Sequence, residues 1–411
     1  MNPFVCRSCG SGDGLPVLDL GLQPLANHLL RPEELAAAEP RFPLRVAVCR
    51  DCWLLQILDV IPPSELFSEY LYFSSVSDAL LAHAADAAAR HRRECTLGAG
   101  SLVVEIASND GYLLRNFVEA GVPCLGVEPA RNIAEVARQR GIRTRTEFFG
   151  ADCGRRIAAE EGTADLILGN NVFAHAPDTN DFVAGLAVLL KPGGRVVLEF
   201  PYACDLVEHG EFDTIYHEHV FYFTLTAVEP LLARHGLEAF DVERLDIHGG
   251  SLRLSLGHSG AHPVRDTVAS LRREEMDKGA GGPGYYQAFA ARVHRLRDEL
   301  IALLERLRAE GHRLCAYGAS AKGSTLLNFY GLGRDGRDWI EFVVDRSPAK
   351  QGRLTPGSHL PILPVGELLT REPRHALLLT WNFADEILAQ QAAWRAAGGH
   401  FIVPLPEVRI V

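Results

Sequence analysis

The stretch IYHEHVFYF, residues 215–223, holds the densest set of chemically useful side chains in this 411-residue chain. Tyr216, His217, Glu218 and His219 are consecutive, which places a phenol, two imidazoles and a carboxylate side by side. Such groups can transfer protons near neutral pH or bind a metal ion. They can also simply form a solvated loop. The rest of the sequence has to decide among these three interpretations.

Two Cys-x-x-Cys pairs, Cys6/Cys9 and Cys49/Cys52, stand near the N-terminus. Four thiolates are typical of a tetrahedral structural zinc site, which leaves no open position for catalysis. Residues 1–66 are too few and too weakly periodic to bury a large core, so a bound metal would stabilise them. A redox pair or four unrelated buried cysteines are the alternatives. Neither explains two identical spacings, so we predict zinc.

Strand and helix patterns alternate between residues 102 and 200. This alternation predicts a doubly wound parallel sheet, in which ligands bind beyond the carboxyl ends of the strands. Two further strands, at 238–245 and 251–257, are predicted to form a closing hairpin. The strands predicted before them are 102–107, 123–128, 165–170 and 195–200, with helices at 111–120 and 130–140.

The first turn of this sheet reads Glu105-Ile-Ala-Ser-Asn-Asp-Gly111. It has one glycine and lacks the G-x-G-x-x-G pattern that cradles a pyrophosphate. Glu128 ends the next strand, where a carboxylate can accept both ribose hydroxyls. S-adenosylmethionine has a ribose but no phosphate, so these features favour it over NAD. A sheet without any cofactor is the remaining alternative.

Three polar residues follow the strand at 165–170 in the stretch GNNVFAHAPD: Asn170, Asn171 and His175. Their position puts them at the ligand edge of the sheet. His175 is therefore either a catalytic group or a cap of the next helix, and its position favours function.

Hydroxyl side chains precede an Ala-rich helix predicted at 77–93: Tyr70, Tyr72, Ser74 and Ser75. Hydroxyls near a helix N-terminus can contact an oxyanion or a phosphate. On spacing alone, an ordinary cap with core aromatics is the better interpretation.

The last third of the chain predicts a second α/β unit. A helical region at 264–310, interrupted near 278–286, precedes strand and helix patterns at 313–330, 340–348, 375–391 and 400–406. The turn Gly318-Ala-Ser-Ala-Lys322-Gly323 is not a P-loop, because its lysine precedes the second glycine. It is either a phosphate site or a plain strand-to-helix turn with an exposed lysine.

Composition limits the possible partners. The net charge of −11 and the pI near 5.8 argue against a nucleic-acid-binding protein, which usually has a basic face. We find no secretory signal and no apolar run long enough to span a membrane. The expected location is the cytoplasm.

The ordered set of motifs, from the paired cysteines through EIASNDG, NNVFAHAPD, YHEHVFYF, YGASAKG and TWNF, resembles the sugar C-methyltransferase family of deoxysugar biosynthesis. The resemblance covers nearly the whole chain. It implies a zinc-binding lobe (1–66), a class I S-adenosylmethionine-dependent methyltransferase domain (67–262) and a C-terminal Rossmann-like α/β domain (263–411) that contributes to sugar-nucleotide binding. It also implies methylation at C3 of a nucleotide-linked 4-keto-deoxysugar, usually attached to dTDP.

The resemblance also implies roles for particular residues. The zinc ligands are the four paired cysteines. The cofactor-binding residues are Glu105, Ala107, Ser108, Asn109, Asp110, Gly111, Glu128, Pro129 and Asn170; Ala107 stands where many methyltransferases have glycine. The catalytic residues are Tyr70, His175, Tyr216, Glu218 and His219, with His219 as the base. The substrate-binding residues are Tyr72, Ser74, Ser75, Asn171, His217, Lys322 and Asn382.

Because zinc has a better site at the cysteines, proton chemistry is the favoured interpretation of residues 215–223. In that chemistry a C4 ketone acidifies the C3 proton, a base removes it, and the carbon attacks the methyl group. The alternatives are an NAD-dependent sugar-nucleotide oxidoreductase, an O- or N-methyltransferase, and a non-catalytic zinc-ribbon scaffold. A metal site at His217-x-His219 also stays open.

Overall fold

The computed structural model describes residues 4–67, 73–76, 78–245 and 249–411, whose strands form three sheets. None of the helices in these ranges combines the length and the apolar character that a membrane span requires. The predicted α/β class with an N-terminal lobe is confirmed.

The N-terminal lobe is a small antiparallel sheet, although its sequence showed only weak periodicity. Its elements are β1 (Gly14–Gln23), β2 (Phe42–Cys49), β3 (Leu55–Ile57), a 3-10 helix (Pro32–Ala36) and α1 (Pro63–Phe67). β1 pairs with β2, and β2 with β3. The two cysteine pairs lie at one end of this sheet, because Cys49 is the last residue of β2.

The four thiol groups form one cluster. Their Sγ atoms all lie within 4.8 Å of one another, and they are the only group of three or more metal-ligating side chains in the described part of the chain. The Sγ atoms of Cys6 and Cys52 are 3.5 Å apart, and those of Cys9 and Cys49 are 3.6 Å apart. Tetrahedral zinc with Zn–S bonds of about 2.3 Å separates its sulfurs by about 3.8 Å, so the cluster fits zinc.

The middle unit is a seven-stranded sheet with helices on both faces. Its elements are α2 (Asp78–Glu94), β4 (Val103–Ile106), α3 (Arg115–Glu119), β5 (Cys124–Val127), α4 (Arg131–Gln139), β6 (Thr144–Arg145), α5 (Ala151–Glu161), β7 (Ala164–Asn170), α6 (Thr179–Leu189), β8 (Leu190–Pro201), α7 (Ala203–His209), β9 (Phe221–Tyr222), α8 (Leu225–Arg234), β10 (Leu237–Leu245) and β11 (Ser251–His258). Short 3-10 helices lie at Ser74–Val76, Phe173–His175 and Phe212–Thr214.

The strand order of this sheet is β10-β11-β8-β7-β4-β5-β6. β4 to β8 are parallel, and β10 and β11 form the predicted antiparallel hairpin. The chain order reverses between β4 and β7, which is where a doubly wound sheet binds its ligand. The helix predicted from residue 111 begins only at Arg115, because residues 107–111 form a tight turn instead.

The C-terminal unit is a second doubly wound sheet, as predicted. Its elements are α9 (Asp266–Lys278), α10 (Pro283–Ala309), β12 (Leu314–Tyr317), α11 (Ala321–Tyr330), β13 (Ile340–Asp345), β14 (Ile362–Pro364), α12 (Glu367–Arg371), β15 (His375–Leu378), a 3-10 helix (Trp381–Phe383), α13 (Ala384–Gln390), α14 (Ala392–Ala396), β16 (His400–Val403) and β17 (Arg409–Ile410). The order is β14-β13-β12-β15-β16-β17, with only β17 antiparallel. The sequence did not predict β17.

One stretch of chain, residues 211–222, contacts all three units, and we call it the junction segment. Its last residues form β9, which pairs with β3 of the N-terminal lobe. The indole Nε1 of Trp381 donates to Asp213 Oδ2 at 2.7 Å, and Thr325 Oγ1 donates to the Ile215 carbonyl at 3.1 Å. The residues of IYHEHV therefore lie where the lobe and both sheets meet.

We predict that Cys49→Ser releases zinc and destabilises the lobe, because three thiolates no longer complete the tetrahedral site. Metal content by elemental analysis and Tm by scanning calorimetry measure the effect. Cys95→Ser, outside the cluster, is the control and should retain zinc. A Cys49→Ser protein that is metal-free and as stable as the parent would contradict a structural zinc site.

We predict that Trp381→Phe lowers Tm, because it leaves Oδ2 of the fully buried Asp213 without its donor. Loss of a partner from a buried polar group costs about 1–3 kcal/mol. Trp339→Phe is the control, since Trp339 stacks with Arg337 rather than joining the two units. An equal decrease in Tm in both variants would show that the Trp381–Asp213 hydrogen bond does not contribute specifically to stability.

Candidate active site

Tyr216 and His219 form a hydrogen-bonded pair at the centre of the junction segment. The Tyr216 hydroxyl lies 2.8 Å from Nε2 of His219, and the ring centroids are 4.1 Å apart. Nδ1 of His219 lies 2.9 Å from the Thr214 carbonyl, so Nδ1 must carry the proton and donate. In the neutral form of the ring, Nε2 is then the acceptor. The pair holds His219 in the tautomer that a general base requires.

His175, in the 3-10 helix after β7, lies against this pair. Its ring centroid is 4.8 Å from that of His219, in an edge-to-face arrangement. Burial lowers the pKa of His175 to about 4, so the ring is neutral at physiological pH. Its Nδ1 is buried and has no hydrogen-bond partner in the described ranges. The one N–H of the neutral ring is donated to the Glu218 backbone, so Nδ1 can accept a hydrogen bond from a ligand.

Glu218 is buried beside these rings and contacts the N-terminal lobe. Its Oε1 accepts a hydrogen bond of 2.6 Å from Nδ2 of Asn27. No pattern in the sequence pointed to Asn27, because 191 residues separate it from Glu218. The contact brings a lobe residue into the site.

His217 faces away from the other members of its run. Its Nε2 lies 3.2 Å from the Pro43 carbonyl, its ring packs edge-on against Phe42, and burial lowers its pKa. It is not part of the metal-ligating cluster. The side chain therefore fastens the junction segment to β2, and its predicted contact with substrate stays a prediction.

The turn after β4 is held in an unusual backbone conformation. Ala107, Asn109 and Gly111 have φ angles of 53°, 49° and 78°, in the left-handed region. Glu128, at the end of β5, accepts backbone hydrogen bonds of 2.9 Å from Asn109 (to Oε2) and from Ala130 (to Oε1). The acid that was predicted to bind ribose thus also fixes the turn, and each oxygen keeps a lone pair for a ligand.

Buried polar atoms at this turn lack protein partners. They are Oε2 of Glu105, Oγ of Ser108 and Oδ1 of Asp110, considering the described residues only. Burial, together with the charges of Glu128 and Asp110, raises the pKa of Glu105 well above its usual value. Unpaired buried polar atoms of this kind call for a ligand or water. The buried acids Glu105, Asp110 and Glu128 suit S-adenosylmethionine, a nucleoside that carries a positively charged sulfonium.

Ser74 and Ser75 close over the same turn. The Ser74 amide donates to Asn109 Oδ1 at 2.9 Å, and the Ser75 hydroxyl donates to Asp110 Oδ2. Arg140 also donates to Asp110 Oδ2, at 2.8 Å. Both serines therefore contact the turn after β4, and their contact with substrate stays a prediction. Tyr70 and Tyr72 lie outside the described residues.

The remaining predicted residues lie at two sheet edges. Asn170 ends β7 beside β4, and Asn171 follows it with a φ of 52° and donates its amide to the Glu199 carbonyl. Pro129 follows Glu128 and is half-buried. Contact of Asn170 and Pro129 with the cofactor, and of Asn171 with substrate, stays a prediction.

Lys322 lies at the start of α11, facing the junction segment. Its Nζ is 3.8 Å from Glu211 Oε2 and 4.8 Å from the centroid of the Trp381 ring. Burial raises the pKa of Asp213 to about 6, although the positive charge of Lys322 acts to lower it. Asn382, next to Trp381, is half-exposed. Lys322 is mostly buried rather than exposed, and phosphate binding by it or by Asn382 stays a prediction.

Three family models match consecutive parts of the chain. A zinc binding domain matches residues 6–67, a methyltransferase domain matches 80–242, and a C-methyltransferase C-terminal domain matches 246–406.

The chain is also similar to individual methyltransferases. The C-methyltransferase NovU of Streptomyces niveus is 40% identical over 407 residues, which cover 99% of this chain and 96% of NovU. A ubiquinone biosynthesis O-methyltransferase of Bordetella avium is 28% identical over 99 residues, 24% of this chain and 41% of that protein.

Among solved structures, the magnesium protoporphyrin IX methyltransferase ChlM of Synechocystis PCC 6803 with bound SAH has a TM-score of 0.35 and 15% identity. The structural match covers 44% of this chain and 83% of the ChlM chain. The near full-length similarity to NovU confirms the predicted family. The chain belongs to the S-adenosylmethionine-dependent C-methyltransferases that have an N-terminal zinc binding domain and a C-methyltransferase C-terminal domain.

Proposed function

We propose that this enzyme methylates C3 of a nucleotide-linked 4-keto-deoxysugar, with dTDP as the expected nucleotide. The observation that carries the proposal is the Tyr216–His219 pair, in which Nδ1 of the imidazole donates to a carbonyl and Nε2 faces the hydroxyl. Methylation at oxygen or nitrogen starts from a lone pair, whereas methylation at carbon first needs a C–H proton removed. A base fixed in its neutral tautomer answers that need.

S-adenosylmethionine, when bound, supplies an electrophilic methyl group. The residues proposed to hold it are those of the turn after β4, with Glu128 accepting from the ribose hydroxyls. Support comes from the three unpaired buried oxygens at this turn and from the acids that surround it. The positive sulfonium would in turn favour the ionised forms of Glu105 and Glu128, whose pKa values burial raises.

His219 is proposed to take the C3 proton at Nε2. Because the Tyr216 hydroxyl already contacts Nε2, the proton reaches it through that hydroxyl or directly once the hydroxyl has turned aside. The Thr214 carbonyl accepts from Nδ1 and would stabilise the imidazolium that forms. The ring therefore needs no rotation during the step.

The negative charge that develops on the C4 oxygen needs a hydrogen-bond donor. Tyr216 is proposed for this role, because Nε2 of His219, once protonated, can donate to the Tyr216 oxygen and leave the phenol proton for the enolate oxygen. His175 donates its one N–H to the Glu218 backbone and is proposed to contact the substrate by accepting a hydrogen bond at Nδ1. Glu218 is proposed to orient the neighbouring rings, and Lys322 with Asn382 to contact the nucleotide portion.

The proposal is tested by incubating the enzyme with S-adenosylmethionine and a panel of 4-keto sugar nucleotides that differ in the base and in the C3 substituent. Mass spectrometry should detect a gain of one methyl group, and NMR should place it on C3. A methyl group found on oxygen or nitrogen would contradict the proposal. So would the absence of product with every sugar nucleotide while NAD supports oxidation.

We predict that His219→Asn lowers kcat by about 100–10,000-fold, the usual contribution of a general base. Binding of S-adenosylmethionine, measured by calorimetry, should be unchanged, because the residues proposed to hold it are those of the turn after β4. His312→Asn, half-exposed on the C-terminal unit, is the control and should keep full activity. Turnover of His219→Asn near the parent value would remove His219 from the role of base.

We predict that Glu128→Ala weakens S-adenosylmethionine binding at least about tenfold, or about 1.4 kcal/mol. The change removes the ribose acceptor and releases the backbone amides of Asn109 and Ala130. Calorimetric titration measures the affinity. Glu119→Ala, an exposed acid on α3, is the control. Equal affinity in the Glu128→Ala protein and the parent would exclude Glu128 from the ribose site.

A further inference from the structure

Asn27 is a residue of the zinc-binding lobe that reaches the centre of the site. It is exposed, yet its Nδ2 donates at 2.6 Å to Oε1 of Glu218, which is only 6% exposed. The amide therefore belongs to an exposed side chain, while the carboxylate that it contacts is buried.

The turn that presents Asn27 is held firmly at both ends. On its N-terminal side, the buried Gln23 side chain donates to the Leu20 carbonyl at 2.6 Å. On its C-terminal side, Leu30 and Leu354 exchange two backbone hydrogen bonds, of 3.0 and 2.8 Å. The turn thus runs from the end of β1 to a contact with the C-terminal unit, so its position does not depend on Glu218.

Glu218 lies between two of the proposed reacting groups. It follows Tyr216 by two residues and directly precedes His219, and its backbone accepts a hydrogen bond from His175. A shift of this residue would therefore move the base and its neighbours. A fixed donor on the Glu218 carboxylate limits such a shift.

We propose that Asn27 is a positioning residue for the methyl transfer, acting through Glu218. The zinc-binding lobe then has a second purpose: it presents one amide that fixes the carboxylate beside the Tyr216–His219 pair. This inference rests on the proposed function, because it assumes that the pair is the proton-transfer site.

The test compares Asn27→Ala and Asn27→Asp with the parent enzyme. Asn27→Ala should lower kcat about 10–100-fold with KM changed less than about threefold, since small misplacements of reacting groups have effects of that size. Zinc content and S-adenosylmethionine affinity should not change, because Asn27 contacts neither site. His28→Ala, its exposed neighbour, is the matched control.

Asn27→Asp adds a second measurement, the pH dependence of activity, which a purely structural role of Asn27 would leave unchanged. Two carboxylates at hydrogen-bond distance repel when both are ionised, but they can share one proton at lower pH. The activity of Asn27→Asp relative to the parent should therefore rise as pH falls. A ratio that stays constant with pH, or a kcat of Asn27→Ala within twofold of the parent, would overturn the proposal.

A separate measurement keeps failure of this inference distinct from failure of the proposed function. The side-chain amide resonances of Asn27, assigned by NMR with Asn27→Asp as the reference, should shift in Glu218→Gln whether or not any sugar is turned over. The same resonances should not shift in the control Glu119→Gln. Unchanged resonances in Glu218→Gln would show that the contact does not form in solution and would overturn the proposal by themselves.

Discussion

The hydrogen bonds that hold residues 211–222 between three folding units are the constraint on which the site depends. The lobe holds the segment through β3 and Asn27, and the C-terminal unit holds it through Trp381 and Thr325. None of these partners is near the segment in sequence. A pair such as Tyr216 and His219 is only as well placed as the backbone that carries it. The zinc cluster belongs to this arrangement, because it stabilises the lobe whose strand and turn do the holding.

Charge is distributed unevenly around the site, and the distribution matches the two halves of the proposed reaction. Buried acids gather at the turn after β4, where a cationic methyl donor would bind, and burial together with the charges of Glu128 and Asp110 raises the pKa of Glu105. Imidazoles gather in and beside the junction segment, where a proton would leave carbon. The C-terminal sheet shares one feature with the seven-stranded sheet. Asp345 accepts hydrogen bonds from the backbone amides of Ala319 and Ser347, as Glu128 does from those of Asn109 and Ala130.

Sequence reasoning succeeded where a feature is local. Two Cys-x-x-Cys spacings predicted the metal cluster, and alternating apolar runs predicted both sheets. It failed where side chains meet across long separations. The Asn27–Glu218 and Trp381–Asp213 bonds span 191 and 168 residues, and no propensity or periodicity encodes them. Nor could spacing show that His217 turns towards Pro43 while its neighbour His219 turns towards Tyr216. Side chains two residues apart point in different directions, and only the packing of the lobe decides which of them reaches the site.

The most direct test of the central claim is exchange of the C3 proton in deuterium oxide. The enzyme would be incubated with S-adenosylhomocysteine, which has no methyl group to transfer, and with the 4-keto sugar nucleotide that it methylates. We predict that NMR shows loss of the C3 proton signal with the parent enzyme and its retention with His219→Asn. Methylation by the parent enzyme with the C3 proton fully retained in the product would contradict carbon acid chemistry at the Tyr216–His219 pair.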